Sequence, residues 1–265
     1  MRGSMSSARN HSPVNLSPCA DDLITSANAA QARALSALSK QKKRFLLEAV
    51  WTRFFPISNE IRTLISAGKL GDIHLVFADL SVSVDKSDLK HRMFNPDLAG
   101  GSLLDLGVYS LTWVMQTVYD AYKNRSEKPS VTGSLVPVKE TGVDEVATVV
   151  LTWKDGTFIR SHGKYIFVTV LMLVTGIATS GVVVPTDGNG TASAGPAVKV
   201  MGTKATLTIP HPIFRPTEYT IHPHGEGTKP VRHVITIPGK GMHWQADAAA
   251  RAIRMTHSLR IGIQD

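Results

Sequence analysis

Asp105 and Tyr109 lie in Gly100-Gly101-Ser102-Leu103-Leu104-Asp105-Leu106-Gly107-Val108-Tyr109, a glycine turn that opens an apolar run. A spacing of four places both side chains on one helix face, within reach of a common point. A carboxylate beside a phenol is a plausible pair for proton handling. The same residues have structural uses. An Asp near a helix N-terminus often caps it or complements its dipole, and a Tyr often packs with its hydroxyl satisfied. A second cluster, Glu48-Ala49-Val50-Trp51-Thr52-Arg53-Phe54-Phe55-Pro56, joins an acid, an indole and a guanidinium. At the C-terminal end of a buried strand, such a group would face a ligand crevice; the structural alternative is a core Trp with Glu48 satisfying Arg53. His91 and Arg92, in the polar loop Lys90–Pro96, could touch a hydroxylated or anionic substrate, although such residues are commonly just solvated. His222 and His224 flank Pro223, and no carboxylate or Cys completes a ligand set, so they read as loop histidines and no metal is expected.

The elements that must position these groups follow from periodicity. Ala27, Ala30, Ala34, Leu35 and Leu38 recur at helical spacing, with Ser26 or Asn28 as cap, and predict a helix to about Lys43. Arg44–Val50 is a short apolar run that predicts a buried strand. Pro56 allows a helix from about Ser58 to Ala67, which Gly68 and Gly71 stop. Ile73–Val84 predicts a strand. Further strands are expected at Ser130–Leu135, Glu145–Trp153 and Phe158–His162, the last two joined by an Asp155-Gly156 turn. Val198–Met201 and Ala205–Ile209 form another hairpin, and Tyr219–His222 and Val231–Ile237 complete the sheet.

The chain has 265 residues, 43% hydrophobic and 19% charged, which are globular values. Its net charge of +8 is concentrated only at Lys40, Lys42, Lys43 and Arg44, the end of the first helix, where cations favour the dipole. No basic stripe is interleaved with aromatics, so a nucleic-acid partner is not expected. The single cysteine, Cys19, excludes an intrachain disulfide framework and fits a reducing compartment. Residues 1–22 are rich in Ser, Asn and Pro and read as a disordered leader without a secretory signal.

Lys164–Gly181 (KYIFVTVLMLVTGIATSG) departs from the surrounding pattern, being free of charge after its first residue. Three readings compete: a membrane-spanning helix, two buried strands, or a translated, unspliced intron. Its β-branched residues, glycines and mid-sheet position argue against a span. Gly163-Lys164-Tyr165 can be encoded as a splice-donor sequence, and removal would join Gly163 to Val182, so an aberrant insert is the preferred expectation.

Ser26–Phe55, Gly68–Ser81 and His91–Leu111 resemble the Gfo/Idh/MocA oxidoreductase family, in the branch holding NADP-dependent D-xylose 1-dehydrogenase and dimeric dihydrodiol dehydrogenase. The resemblance rests on an NAAQA…L…L…K helix (Asn28–Lys42), EAxWTRFFP and GGSLLDLGVYSL in that order, and covers about Ser26–Arg254 less the insert. It implies an α+β fold, a mostly antiparallel C-terminal sheet with helices on one face, accompanied by a remnant of a Rossmann domain. It implies proton transfer by Tyr109 with Asp105 beside it. Glu48, Trp51 and Arg53 fall on the NADP side, and the substrate is a small sugar or diol. It also implies pairing of two copies through the sheet, a cytoplasmic setting, and a closing amphipathic helix over Gly241–Arg254 with Trp244 and Ala248 toward the sheet. Two family features are missing from the expected places: a G-x-G-x-x-G loop before Ser26, and an E-K-P lysine just ahead of Ile24-Thr25, where Cys19-Ala20-Asp21-Asp22-Leu23 stands instead. The expected organisation is therefore a leader (1–22), a dinucleotide-domain remnant (23–56), a substrate and dimerisation sheet domain (57–254, with 164–181 as the insert) and a non-family tail (255–265). The expected activity is NADP-dependent oxidation of a sugar at C1, inactive in this chain because the nucleotide site is incomplete. The alternatives are a trans-dihydrodiol dehydrogenase or a non-catalytic dimerising sheet domain.

Overall fold

The computed structural model describes residues 28–121, 128–154, 173–191 and 194–261. The leader, Cys19, the expected strand Phe158–His162 and residues 164–172 lie outside the described residues.

Alternating burial builds the strands. In Val198–Gly202 and Ala205–Ile209, the residues Val198, Val200, Leu207 and Ile209 are fully buried while Lys199 points outward. Eight strands form one sheet among the described residues: β1 (Ile73–Ser81), β2 (Ser130–Pro137), β3 (Asp144–Lys154), β4 (Leu173–Gly181), β5 (Val198–Gly202), β6 (Ala205–Ile209), β7 (Glu218–Pro223) and β8 (Val231–Val234). Their order is β2-β3-β4-β1-β5-β6-β7-β8. Only β1 and β4 run parallel, with Val76 opposite Gly176 and Ala78 opposite Ala178; every other pair is antiparallel.

Helices cover one face. α2 (Pro56–Ser66) turns Ile57, Ile61 and Ile65 inward, four residues apart in sequence. α3 (Val108–Val118) crosses β1, β4 and β5, burying Trp113, Val114 and Val118. Trp113 donates its indole N–H to Ile213 O at 2.9 Å, so this core Trp leaves no orphan polar atom. The apolar stretch Pro96–Val118 is long enough to cross a membrane, and half of its most apolar window is buried inside this fold. The opposite face carries half-exposed Leu75, Phe77, Val150 and Ile177 among threonines.

The structure departs from the expectations at four places. Arg44–Val50 is not a strand. It is unpaired, with Phe45 and Leu46 each 41% exposed, because no neighbouring strand meets it among the described residues. α1 (Ala29–Lys42), capped by Asn28 as expected, buries no residue. The segment 164–181 is not foreign to the sheet over its second half. Leu173–Gly181 is β4, paired on both edges, with Val174, Ala178 and Ser180 buried. Its small and apolar residues Val174, Gly176 and Ala178 face the helices, and uncharged Thr175, Ile177 and Thr179 face the other way. α4 (His243–Ile261) runs past the expected end at Arg254, and Trp244 packs edge-on against Phe55 rather than on the sheet.

Candidate functional site

Three segments converge at the start of α3. The first is the 3-10 turn Trp51–Phe54, which leads directly into α2 instead of ending a strand. It is pinned by Thr52, whose hydroxyl donates to Phe214 O at 2.6 Å, and by Ser58, whose hydroxyl donates to Thr52 O at 2.6 Å. The second is the loop around Arg92–Phe94, tied to the glycine turn by Gly100 N–H to Asn95 O (3.0 Å) and Gly101 N–H to Met93 O (2.8 Å). A Cβ on Gly100 would press against three backbone carbonyls, those of Arg92, Met93 and Asn95, so glycine is required for this approach. The third is the segment Ile213–Phe214, reached after β6.

The helix itself opens wider than expected. Leu103–Gly107 is a π turn that continues into α3. Asp105 and Tyr109 do emerge near one another, but they do not bond each other. Asp105 is held by Arg92 in a two-pronged pair, Nη1 to Oδ1 at 2.6 Å and Nη2 to Oδ2 at 3.0 Å. The Asp105 side chain is 12% exposed and that of Arg92 is 62% exposed, so the guanidinium forms the outer wall. Tyr109 is buried, and its oxygen accepts the Trp51 indole N–H at 3.1 Å. That leaves the phenolic hydrogen to donate to a bound oxygen. Burial pushes the phenol's pKa up. The Trp51 donor opposes that shift, the Asp105 charge adds to it, and Arg92 opposes it. The phenol is therefore neutral at ordinary pH and suited to give a proton to an alkoxide.

Phe214 completes the wall. Its ring stacks on Trp51 at 6.1 Å between centroids, 23° from parallel, and meets Tyr109 at 6.0 Å. Reading the sequence did not find it, because nothing local links Phe214 to Trp51. The Pro212-Ile213-Phe214-Arg215-Pro216 run signals only a turn.

Trp51, Arg92, Asp105 and Tyr109 are thus brought together, and three other expected residues are not. Arg53 turns away to Asp120 at the far end of α3, 2.8 Å distant. Glu48 is exposed on the unpaired segment and does not satisfy Arg53. His91 uses Nδ1 to accept Met93 N–H at 3.3 Å, capping its own turn. His222 and His224 bond Thr208 and Thr206 on the sheet, at 3.0 and 3.1 Å.

A dinucleotide needs backbone N–H groups at a helix N-terminus for its pyrophosphate. Asn28 caps α1 by accepting from Ala30 and Gln31, α2 opens on Pro56, and the N–H of Leu103 is bonded to Asp144. Among the described residues, the N-termini of α1, α2 and the helix at Leu103 are therefore not free to cradle a pyrophosphate.

The chain belongs to the GFO/IDH/MocA family, whose C-terminal domain matches residues 58–208. D-xylose 1-dehydrogenase (NADP(+)) from Hypocrea jecorina is 38% identical over 240 residues, 85% of this chain and 56% of that enzyme. Human trans-1,2-dihydrobenzene-1,2-diol dehydrogenase is 32% identical over 199 residues, 74% of this chain and 49% of the relative. The chain spans about half the length of the curated relatives it matches. Among solved structures, KijD10, a 3-ketoreductase from Actinomadura kijaniata in complex with NADP and TDP-benzene, superposes with a TM-score of 0.62 at 16% identity, over 86% of this chain and 60% of that one. Aldose-aldose oxidoreductase from Caulobacter crescentus does so with 0.62 at 20% identity, over 86% and 59%. At those identities the superpositions establish the shared fold.

Proposed function

We propose that this domain is the substrate half of an NADP-dependent dehydrogenase of the D-xylose 1-dehydrogenase type, acting on a CH–OH group of a small sugar. The observation that carries this reading is the buried Tyr109 hydroxyl, set in an aromatic wall of Trp51 and Phe214 beside the Arg92–Asp105 pair. Aromatic faces stack on the C–H face of a pyranose, and the charged pair offers both donors and acceptors for its hydroxyls. Tyr109, protonated at rest, would give its proton to the alkoxide when the reaction runs toward reduction. In oxidation it would take the hydroxyl's proton as it releases its own to solvent. NADP would accept hydride, and its phosphates would need groups beyond those described. The exposed Phe45 and Leu46 support reading 23–56 as the edge of a dinucleotide-binding domain. The expectation for this chain is sugar binding at the Tyr109 wall. Tryptophan fluorescence titration tests it: D-xylose should change the signal saturably. Saturable NADP binding at micromolar cofactor would overturn the incomplete nucleotide side. A response to a trans-dihydrodiol but not to D-xylose would assign the chain to the dihydrodiol branch.

A second reading, pairing of two copies through the sheet, is supported by the half-exposed Leu75, Phe77, Val150 and Ile177 on its uncovered face. A cytoplasmic setting is supported only by the single cysteine.

A further inference from the structure

We propose that Asp144, at the start of β3, is a positioning residue that holds the Asp105–Tyr109 turn in register with the sheet. The inference rests on reading those two residues as the working pair. One carboxylate oxygen of Asp144, Oδ2, accepts both the Ser102 hydroxyl at 2.8 Å and the Leu103 N–H at 2.6 Å. It thus caps the helix from another element, where ordinarily the residue just before a helix does so. Gly101 has φ +118°, and a Cβ there would strike the Asp144 carboxylate, so the glycine makes room for the cap.

The cap adjoins an unusual stretch of helix. The π turn Leu103–Gly107 is a rare, wider winding of the chain, and something outside the helix must hold it. Two ties to β4 bracket it. The fully buried Ser102 and Ser180 hydroxyls meet at 3.1 Å before it, and the buried Ser110 hydroxyl donates to Thr179 O at 2.8 Å after it. Asp105 and Tyr109 lie between those ties. Release of the first turn would let it revert to ordinary α winding. With Ser110 fixed, that reversion rotates the residues before Val108, carries Asp105 off Arg92 and so changes the charge beside the Tyr109–Trp51 bond.

Indole N–H resonances of the chain's four tryptophans read this without turnover. The measurement can therefore succeed where sugar binding fails, and fail where it succeeds. Asp144→Ala should move the Trp51 peak in the direction it takes in Arg92→Ala, which also frees Asp105. The Trp113 peak, bonded to Ile213 O, should stay where it is. Asp144→Asn keeps a good capping acceptor and should restore the Trp51 peak. A Trp51 peak unmoved in folded Asp144→Ala, or no restoration by Asn, overturns the assignment. If Asp144→Ala does not fold, Ser102→Ala removes one of the two Asp144 bonds together with the Ser180 contact, and should shift Trp51 more than Ser180→Ala, which removes that contact alone. A Trp51 shift no larger than in Ser180→Ala, or Trp51 and Trp113 moving together, overturns it as well.

Discussion

Tyr109 keeps its proton because burial penalises the phenolate more than the Trp51 donor and Arg92 stabilise it. Tyr219 is held more firmly still. It is buried, and its hydroxyl donates to the Glu60 carboxylate at 2.6 Å, so both desolvation and the neighbouring charge disfavour ionisation. Both tyrosines bind protons more tightly folded than unfolded. Their contribution to stability is complete below the ordinary tyrosine range, near pH 10, and is lost as pH rises through the folded values. Denaturant midpoints should therefore fall steeply above about pH 10, by up to about 1.4 kcal/mol per pH unit for each group. Tyr219→Phe should flatten that fall, and an unchanged slope would contradict the account. Arg92 is the other residue with a direct test. Its removal leaves Asp105 without the two bonds that orient it, and hydrogen bonds to charged groups contribute about 1.5–3 kcal/mol. Arg92→Ala should weaken sugar binding by roughly ten- to a hundredfold, read by titration, while leaving the Trp113 environment intact.

At the scale of elements, β4 decides how the middle of the chain is understood. Gly176 lies on the helix-covered face, where a Cβ would collide with Val114 and lie against Trp153. Gly176→Val should destabilise the fold by roughly 1–3 kcal/mol through overpacking, measured by chemical denaturation. A silent substitution would return 173–181 to the status of a dispensable insert. The polarity of its outward face also governs how legible a strand is in the sequence. β1, β3 and β5 to β7 show apolar or alternating patterns between clear turns, and their positions follow directly. β4 alternates too, but its outward Thr175, Ile177 and Thr179 carry no charge, so with the apolar residues before it the run looks like a membrane span or an intron. Arg44–Val50 makes the opposite error: an apolar run predicts burial only if a partner exists to bury it. The site divides in the same way. Asp105 and Tyr109 are visible as a four-residue spacing. Phe214 and Asp144 reach the same place through tertiary contacts, with no local signal, and Arg53 leaves because Asp120 offers it a partner.

At the scale of the whole molecule, the described residues form a sheet with one face packed and the other half open. The open face mixes threonines with Leu75, Phe77, Val150 and Ile177, a composition suited to a second sheet laid across it. Ile177→Asp would place a charge at the centre of that contact. It should convert any dimer seen by sedimentation to monomer; a monomer already present in the unsubstituted chain would remove this proposal without touching the site. Trp51, Tyr109 and Phe214 form the wall against which a sugar is proposed to lie, and fluorescence tests that placement most directly. D-xylose should perturb tryptophan emission saturably in the unsubstituted chain, and the response should vanish in Trp51→Phe and weaken in Tyr109→Phe. A response that survives unchanged in Trp51→Phe, or no response to any sugar or diol, would contradict the proposed wall.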